Sequence, residues 1–253
     1  SLAGRGALRC LLRYWPIKRW YPRADAIVAV SRGVADDVVA TSGVDPACVH
    51  VVCNPVVSPT LDDLAREDPG HAWLGDGSGP VLLGVGRLTR QKDFPTLLRA
   101  LARVRERVAA RLIVLGEGED RSMLERLGGQ LGVADAVDFH GFVDNPYAWM
   151  RRADLFVLSS AWEGSPNALT EALYLGVPAV ATDCRSGPRE VLADGRYGRL
   201  VPVGDERALA AAIEATLAAP LRAATLREAV REYTRERSAR HYLAVMGIEP
   251  GAG

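Results

Sequence analysis

Two loops carry side chains whose types and spacing suit one kind of ligand. The first runs Gly84-Val-Gly-Arg-Leu-Thr-Arg-Gln-Lys-Asp93 and gathers Arg87, Arg90 and Lys92 beside Gly84 and Gly86. Cations next to open glycine backbone, just before a helix N-terminus, suit a phosphate. From charge alone, a solvated basic loop is the better description. The loop is not a Walker-type phosphate loop, and it lacks the third glycine of the dinucleotide fingerprint. The second runs Glu163-Gly-Ser-Pro-Asn-Ala-Leu-Thr-Glu171. A carboxylate accepts two hydrogen bonds at once, which suits the hydroxyls of a ribose or hexose. Pro166 fits the first turn of a helix, and the amides from Ser165 to Ala168 are expected to point out of that helix end. Taken singly, Glu163 is explained as a complement to the helix dipole and Glu171 as an exposed helix residue. A phosphate-binding loop and a hydroxyl-binding loop on one sheet edge together suggest a sugar nucleotide.

The elements that must position these loops alternate. Short apolar runs at Ala26–Val30, Val49–Cys53, Val81–Val85, Leu112–Leu115, Val137–Phe139, Leu155–Leu158, Ala179–Ala181 and Leu200–Val203 predict strands. Between them lie helical patterns: Gly33–Thr41 capped by Ser31, a helix opened by Asp93 and Pro95, Asp120–Leu131, a short helix after Pro146, Pro166–Leu175, a turn near Pro188–Leu192, and Asp205–Leu217. Near-continuous apolar strands separated by amphipathic helices indicate a parallel sheet covered on both faces. In such a sheet ligands bind beyond the carboxyl ends of the strands, where both loops fall. Residues 58–80 are rich in Pro, Gly and acidic residues with little periodicity and predict a linker. From Leu221 to Met246 composition predicts helix.

Bulk properties exclude some classes. Lys and Arg total 31 and Asp and Glu total 31, so no net field draws nucleic acid. No stretch holds the roughly 20 apolar residues that span a bilayer. Cys10, Cys48, Cys53 and Cys184 form no paired motif, and with His50, His71, His140 and His241 they make no metal-ligand spacing. They read as reduced thiols of a cytoplasmic protein. Residues 1–23 are basic and contain no acid. They read as a surface helix with an apolar stripe on a domain, broken at Pro16. The competing reading is peripheral contact with an anionic membrane face.

Several segments together resemble the family 4 glycosyltransferases, the glycosyl transferases group 1. VGRLTRQKD, GEGED, FHGFV, ADLFVLSSAWEGSPNALTEALYLGVPAVATD and GPREVL occur in the family's order. Glu163 and Glu171 reproduce its Glu-x7-Glu spacing. RADAIVAVSRGVADDV is similar to the last strand–helix unit of the family's N-terminal domain. The resemblance implies an α/β fold of GT-B type. A Rossmann-like donor-binding domain at 81–232 would follow a truncated remnant of the Rossmann-like acceptor domain at 1–57 and the 58–80 linker. A crossover helix and tail at 233–253 would return to the first domain.

The resemblance also implies roles. Arg87 and Lys92 would hold the donor diphosphate and Glu171 the ribose hydroxyls. Glu163 would lie against the donor sugar, near the backbone of Gly86, Gly164 and Ser165 and the helix start Pro166, Asn167, Ala168 and Leu169. Phe142 and Val143, after a His140-Gly141 turn, would line the base pocket. Ser165 stands where many relatives carry Phe, which alters the sugar pocket. TDCRSGPREVL is similar to members that use UDP-N-acetylhexosamines.

The implied reaction moves a hexose from a UDP-sugar, or a GDP-sugar, to a hydroxyl of a glycan or lipid-linked acceptor in cell-envelope synthesis, with retention. Cations and helix amides would stabilise the leaving diphosphate without a metal or cofactor. The glycine-rich loop and histidine of the family's N-terminal domain have no counterpart here. The chain, beginning at Ser1, therefore reads as a fragment that binds nucleotide with little or no turnover. A UDP-sugar epimerase of the same architecture and a dinucleotide dehydrogenase are the other classes considered. Glu-x7-Glu argues against the first, and the missing glycine fingerprint against the second.

Overall fold

A computed structural model describes residues 15–248. Six parallel strands form the larger sheet: β3 (Val81–Val85), β4 (Arg111–Leu115), β5 (Val137–Gly141), β6 (Leu155–Leu158), β7 (Ala179–Thr182) and β8 (Arg199–Val201). Their order is β5-β4-β3-β6-β7-β8. The chain winds outward from β3 to β5, then crosses back to β6 and winds the other way. Between β3 and β6 the crossovers diverge, and that switch point leaves a crevice above the strand ends.

The two-residue period of the strands separates two cores. On one face Leu82, Leu112, Val114, Leu155 and Val180 pack with Leu97, Leu98 and Leu101 of the Phe94–Val104 helix and with Leu209 and Ile213 of the Glu206–Ala218 helix. On the other face Leu83, Ile113, Phe156, Leu158 and Ala181 pack with Trp149 and Met150 of the Tyr147–Arg152 helix and with Ala172 and Leu173 of the Asn167–Tyr174 helix. Both faces are covered, as the apolar strand runs predict.

A second, two-stranded parallel sheet joins β1 (Ile27–Ala29) to β2 (Val49–Val51). The Arg32–Ser42 helix connects them, and none of its residues is buried. Ser31 caps it, its Oγ accepting the Val34 amide at 3.3 Å.

Three expectations change. Residues 58–80 pack instead of linking: Leu61 and Ala65, around the short Thr60–Leu64 helix, are buried in the same core as Leu83 and Phe156. Tyr174 donates to Asp62 at 2.6 Å, and Arg111 in β4 bonds both oxygens of Asp76 at 2.7 Å. The C-terminal stretch is not one helix. A helix at Ala223–Glu228 and a tight turn at Arg231–Tyr233 precede the Arg235–Val245 helix. The break is made by Val57, whose amide donates to the Tyr233 carbonyl at 3.0 Å and whose carbonyl accepts from Arg235 at 3.3 Å. Strand β5 runs through His140 to Gly141, where a turn was expected.

The basic segment is described only in part, since residues 1–14 lie outside the described residues. Residues 15–20, Pro16 among them, are helical, and the helix expected before Pro16 lies outside the described residues. Trp15 and Trp20 are exposed, not packed on a core, with Arg19 and Arg23 over the Trp20 ring. Among the described residues no helix is long and apolar enough to cross a membrane.

Candidate functional site

The loops after β3 and β6 meet at the crevice. The Ala161 amide donates to the Gln91 carbonyl at 2.8 Å, and the Gln91 side chain donates to the Trp162 carbonyl at 3.1 Å. Across this join Lys92 Nζ lies 2.6 Å from Glu163 Oε1. The Ser160 hydroxyl donates to the same oxygen at 2.6 Å. Ser159 fixes the loop from beneath, donating to the Lys92 carbonyl at 2.7 Å. The Glu163 side chain is 6% exposed and that of Lys92 18%, so the pair is largely withdrawn from water. Sequence reading placed these two residues on different parts of one ligand. The structure pairs them directly, an arrangement in which an anion arriving at the loop competes with Glu163 for Lys92.

Beside this pair, Val85, Gly86, Arg87, Leu115, Gly116, Glu117, Phe142, Val143 and Pro146 line a cavity of about 360 Å³. Four residues expected at a donor site, Gly86, Arg87, Phe142 and Val143, therefore share one mostly apolar cleft. Phe142 is 75% exposed at its mouth. Gly86 links the cleft to the ion pair, because a Cβ there would lie 2.8 Å from Lys92 Cε. Arg87, which lines the cleft, and Arg90 of the same loop are both exposed.

Glu171 lies on the Asn167–Tyr174 helix, and the Tyr147 hydroxyl donates to its Oε1 at 3.4 Å. Burial pushes the Glu171 carboxyl above the usual carboxylate range, with the Tyr147 bond opposing it. The Tyr147 hydroxyl is pushed up first by burial and then by the charge of Glu171. Tyr147 follows the cavity residue Pro146, so Glu171 and the apolar cleft are one short helix start apart.

The structure narrows how the helix start can meet a ligand. Leu169 is fully buried in the core between sheet and helix, so its side chain faces inward. Ala168 packs against the same core. Pro166 caps the helix and does not occupy its first turn, and a Cβ on Gly187 would lie 2.4 Å from its Cδ. The Asn167 amide is not free, since it donates to the Ser165 carbonyl at 3.0 Å. The Asn167 side chain accepts from Asn54 at 2.9 Å, which joins this loop to the segment after β2. Gly164 faces the same unit, where a Cβ would lie 3.7 Å from Val34.

Sequence reading missed Glu117, Tyr147 and Ser160. Glu117 had a signal, because it stands in GEGED after a strand on the ligand-binding edge. Tyr147 and Ser160 had none, because their roles depend on partners supplied by folding.

Gly116 shows how closely the backbone approaches here. Its φ is +134°, and a Cβ would lie 2.1 Å from the Gly86 carbonyl oxygen. Gly116→Ala is therefore expected to cost about 1–3 kcal/mol and to open the cleft. Chemical denaturation checks the value, and a change within experimental error would show that the two loops can separate freely.

Residues 72–237 match the model of the glycosyl transferases group 1, and residues 5–58 that of glycosyltransferase family 4. The chain belongs to the glycosyl transferases group 1. This group 1 chain is 33% identical over 199 residues to the N-acetylgalactosamine-N,N'-diacetylbacillosaminyl-diphospho-undecaprenol 4-alpha-N-acetylgalactosaminyltransferase of Campylobacter jejuni, covering 79% of this chain and 52% of that protein. It is 34% identical over 176 residues to the lipopolysaccharide core biosynthesis glycosyltransferase LpsE of Rhizobium meliloti, covering 68% of this chain and 51% of that one. The chain thus spans about half the length of these curated relatives. Among solved structures, the apo lipopolysaccharide outer core galactosyltransferase WaaB superposes with a TM-score of 0.74 at 24% identity, over 88% of this chain and 62% of that one. Anabaena HepE in complex with UDP gives 0.74 at 21% identity, over 88% and 64%. These likenesses establish the GT-B fold.

Proposed function

We propose that this group 1 chain binds a UDP-sugar in the crevice and supplies the donor half of a retaining sugar transfer to a glycan or lipid-linked acceptor in envelope synthesis. The observation that carries this reading is the single cleft in which Gly86, Arg87, Phe142 and Val143 converge beside the Lys92–Glu163 pair. The base enters the apolar cavity, stacking on Phe142. Arg87 and Lys92 meet the diphosphate, and Glu171 accepts from the ribose hydroxyls. Lys92 then leaves Glu163 for the more highly charged diphosphate, which frees the Glu163 carboxylate for the donor sugar's hydroxyls. As the sugar–phosphate bond breaks, charge grows on the leaving oxygen, and Arg87, Lys92 and the Ser165 and Ala168 amides stabilise it in place of a metal. The Campylobacter relative named above acts on a diphospho-undecaprenol acceptor. An acceptor of that kind fits a protein docked at a membrane through Trp15, Trp20 and the neighbouring arginines.

Glu171→Gln tests the assignment. In the free protein an ionised Glu171 costs stability, because folding raises its pKa by burial. That cost is present at neutral pH and disappears as pH falls through the raised value. The neutral glutamine is therefore expected to leave the melting temperature unchanged or higher at neutral pH. It is also expected to weaken UDP about 10- to 100-fold, the worth of charge-assisted bonds to the ribose. A lower melting temperature with unchanged UDP affinity would make Glu171 a structural residue.

A further inference from the structure

The geometry points to a site for zinc, or a similar divalent transition-metal ion, at His71, Asp138 and His140, away from the donor cleft. His71 Nε2 and His140 Nδ1 each lie 3.1 Å from the same Asp138 oxygen, Oδ2. All three atoms fall within 4.8 Å of one another. A tetrahedral zinc ion with bonds of about 2.0–2.1 Å holds its ligand atoms roughly 3.3 Å apart, and each imidazole nitrogen already stands near that distance from the Asp138 oxygen. Two imidazoles and one carboxylate are a ligand set that zinc takes readily, with the remaining position left to water.

The fold prepares this triangle. Asp138 and His140 are two residues apart on β5, the edge strand, and so point to one side of the sheet. His71 comes from the segment that packs across that side. Arg111 anchors the segment through Asp76, the Trp73 carbonyl at 3.3 Å and the Gly79 carbonyl at 3.4 Å. Trp149 backs both imidazoles, its ring 4.3 Å from that of His140 and 5.3 Å from that of His71. The His140 side chain is 38% exposed, which gives an ion a way in.

A metal ion on His71 Nε2 takes the place of the proton donated to Asp138, and the neutral ring then carries its one proton on Nδ1, which at present accepts the Trp73 amide at 3.2 Å. The Trp73 amide must therefore turn away, and the indoles of Trp73 and Trp149 report the event. The ion would clamp residues 71–74 to the edge of the sheet, a structural role outside the chemistry at Lys92 and Glu163.

The test is a titration of the metal-stripped 253-residue protein with zinc chloride, followed by melting temperature, and with cobalt(II), followed by visible absorption and tryptophan quenching. One equivalent should bind with micromolar affinity, raise the melting temperature and quench part of the tryptophan emission. His140→Ala, at an exposed position that should not disturb folding, is expected to weaken binding at least tenfold. Asp138→Asn should do the same, while His50→Ala and His241→Ala should leave it unchanged. Absence of saturable binding would overturn the proposal. So would binding that survives both ligand substitutions, or a cobalt spectrum dominated by thiolate charge transfer.

Discussion

Lys92→Ala is expected to destabilise the protein by about 3 kcal/mol and to weaken UDP binding at least tenfold. The stability loss follows from burial: Glu163 is 6% exposed, and the substitution removes its cation while leaving the carboxylate in place. Ser160 then remains as a side-chain donor to Glu163. From sequence alone Lys92 is a ligand-binding residue whose loss affects only binding in this chain. The ion pair adds the structural cost. In a longer protein that contains the whole acceptor domain, the same substitution is expected to lower turnover about 10²–10³-fold, because Lys92 also meets the leaving diphosphate. Glu163→Gln with Lys92→Met separates the two effects. Removing both charges should restore much of the stability but not the turnover. If Lys92→Ala melts with the parent, the pair is not a buried one in solution and the stability argument is wrong.

The second large effect concerns turnover by the 253-residue chain. It is expected to bind UDP while transferring sugar far more slowly than a relative of which it spans about half the length. Among the described residues, the part before residue 58 holds β1, β2, the helical residues 15–20 and the Arg32–Ser42 helix, none of whose residues is buried. Holding donor and acceptor in line inside a water-poor cleft is worth about 7–11 kcal/mol, and half of the cleft wall is needed for it. A transfer assay with matched protein concentrations and a panel of UDP-sugars, including UDP-N-acetylhexosamines, checks this. Equal turnover by both proteins would show that the two-strand unit is sufficient.

How much of this could be read from sequence depends on the range of the interaction. The strands and helices follow from local periodicity, and the parallel sheet covered on both faces follows from the alternation of elements, whereas the strand order does not. The ligand loops follow from cations and carboxylates placed after strands. The direct pairing of Lys92 with Glu163 does not, because the residues stand 71 positions apart. The bond from Tyr147 to Glu171 was hidden for the same reason. Residues 58–80 have linker-like composition, yet Leu61, Ala65 and Asp76 each find a partner on the larger domain. The side chain of Leu169 turns to the core, as helix periodicity dictates, so only its backbone faces the helix start. The break at Thr234 has a local signal, because the Thr234 side chain caps the next helix by accepting the Arg237 amide at 3.3 Å, but its pairing with the backbone of Val57 had none.

The central claim is that a nucleoside diphosphate lies across the loops after β3, β5 and β6. Amide hydrogen exchange, with and without saturating UDP in the presence of a chelator, tests it most directly. UDP should slow exchange in residues 84–93, 141–147 and 163–171 together, and inorganic phosphate at the same concentration should not protect 141–147. No protection in these three segments, or protection that requires added magnesium or manganese, would contradict the account.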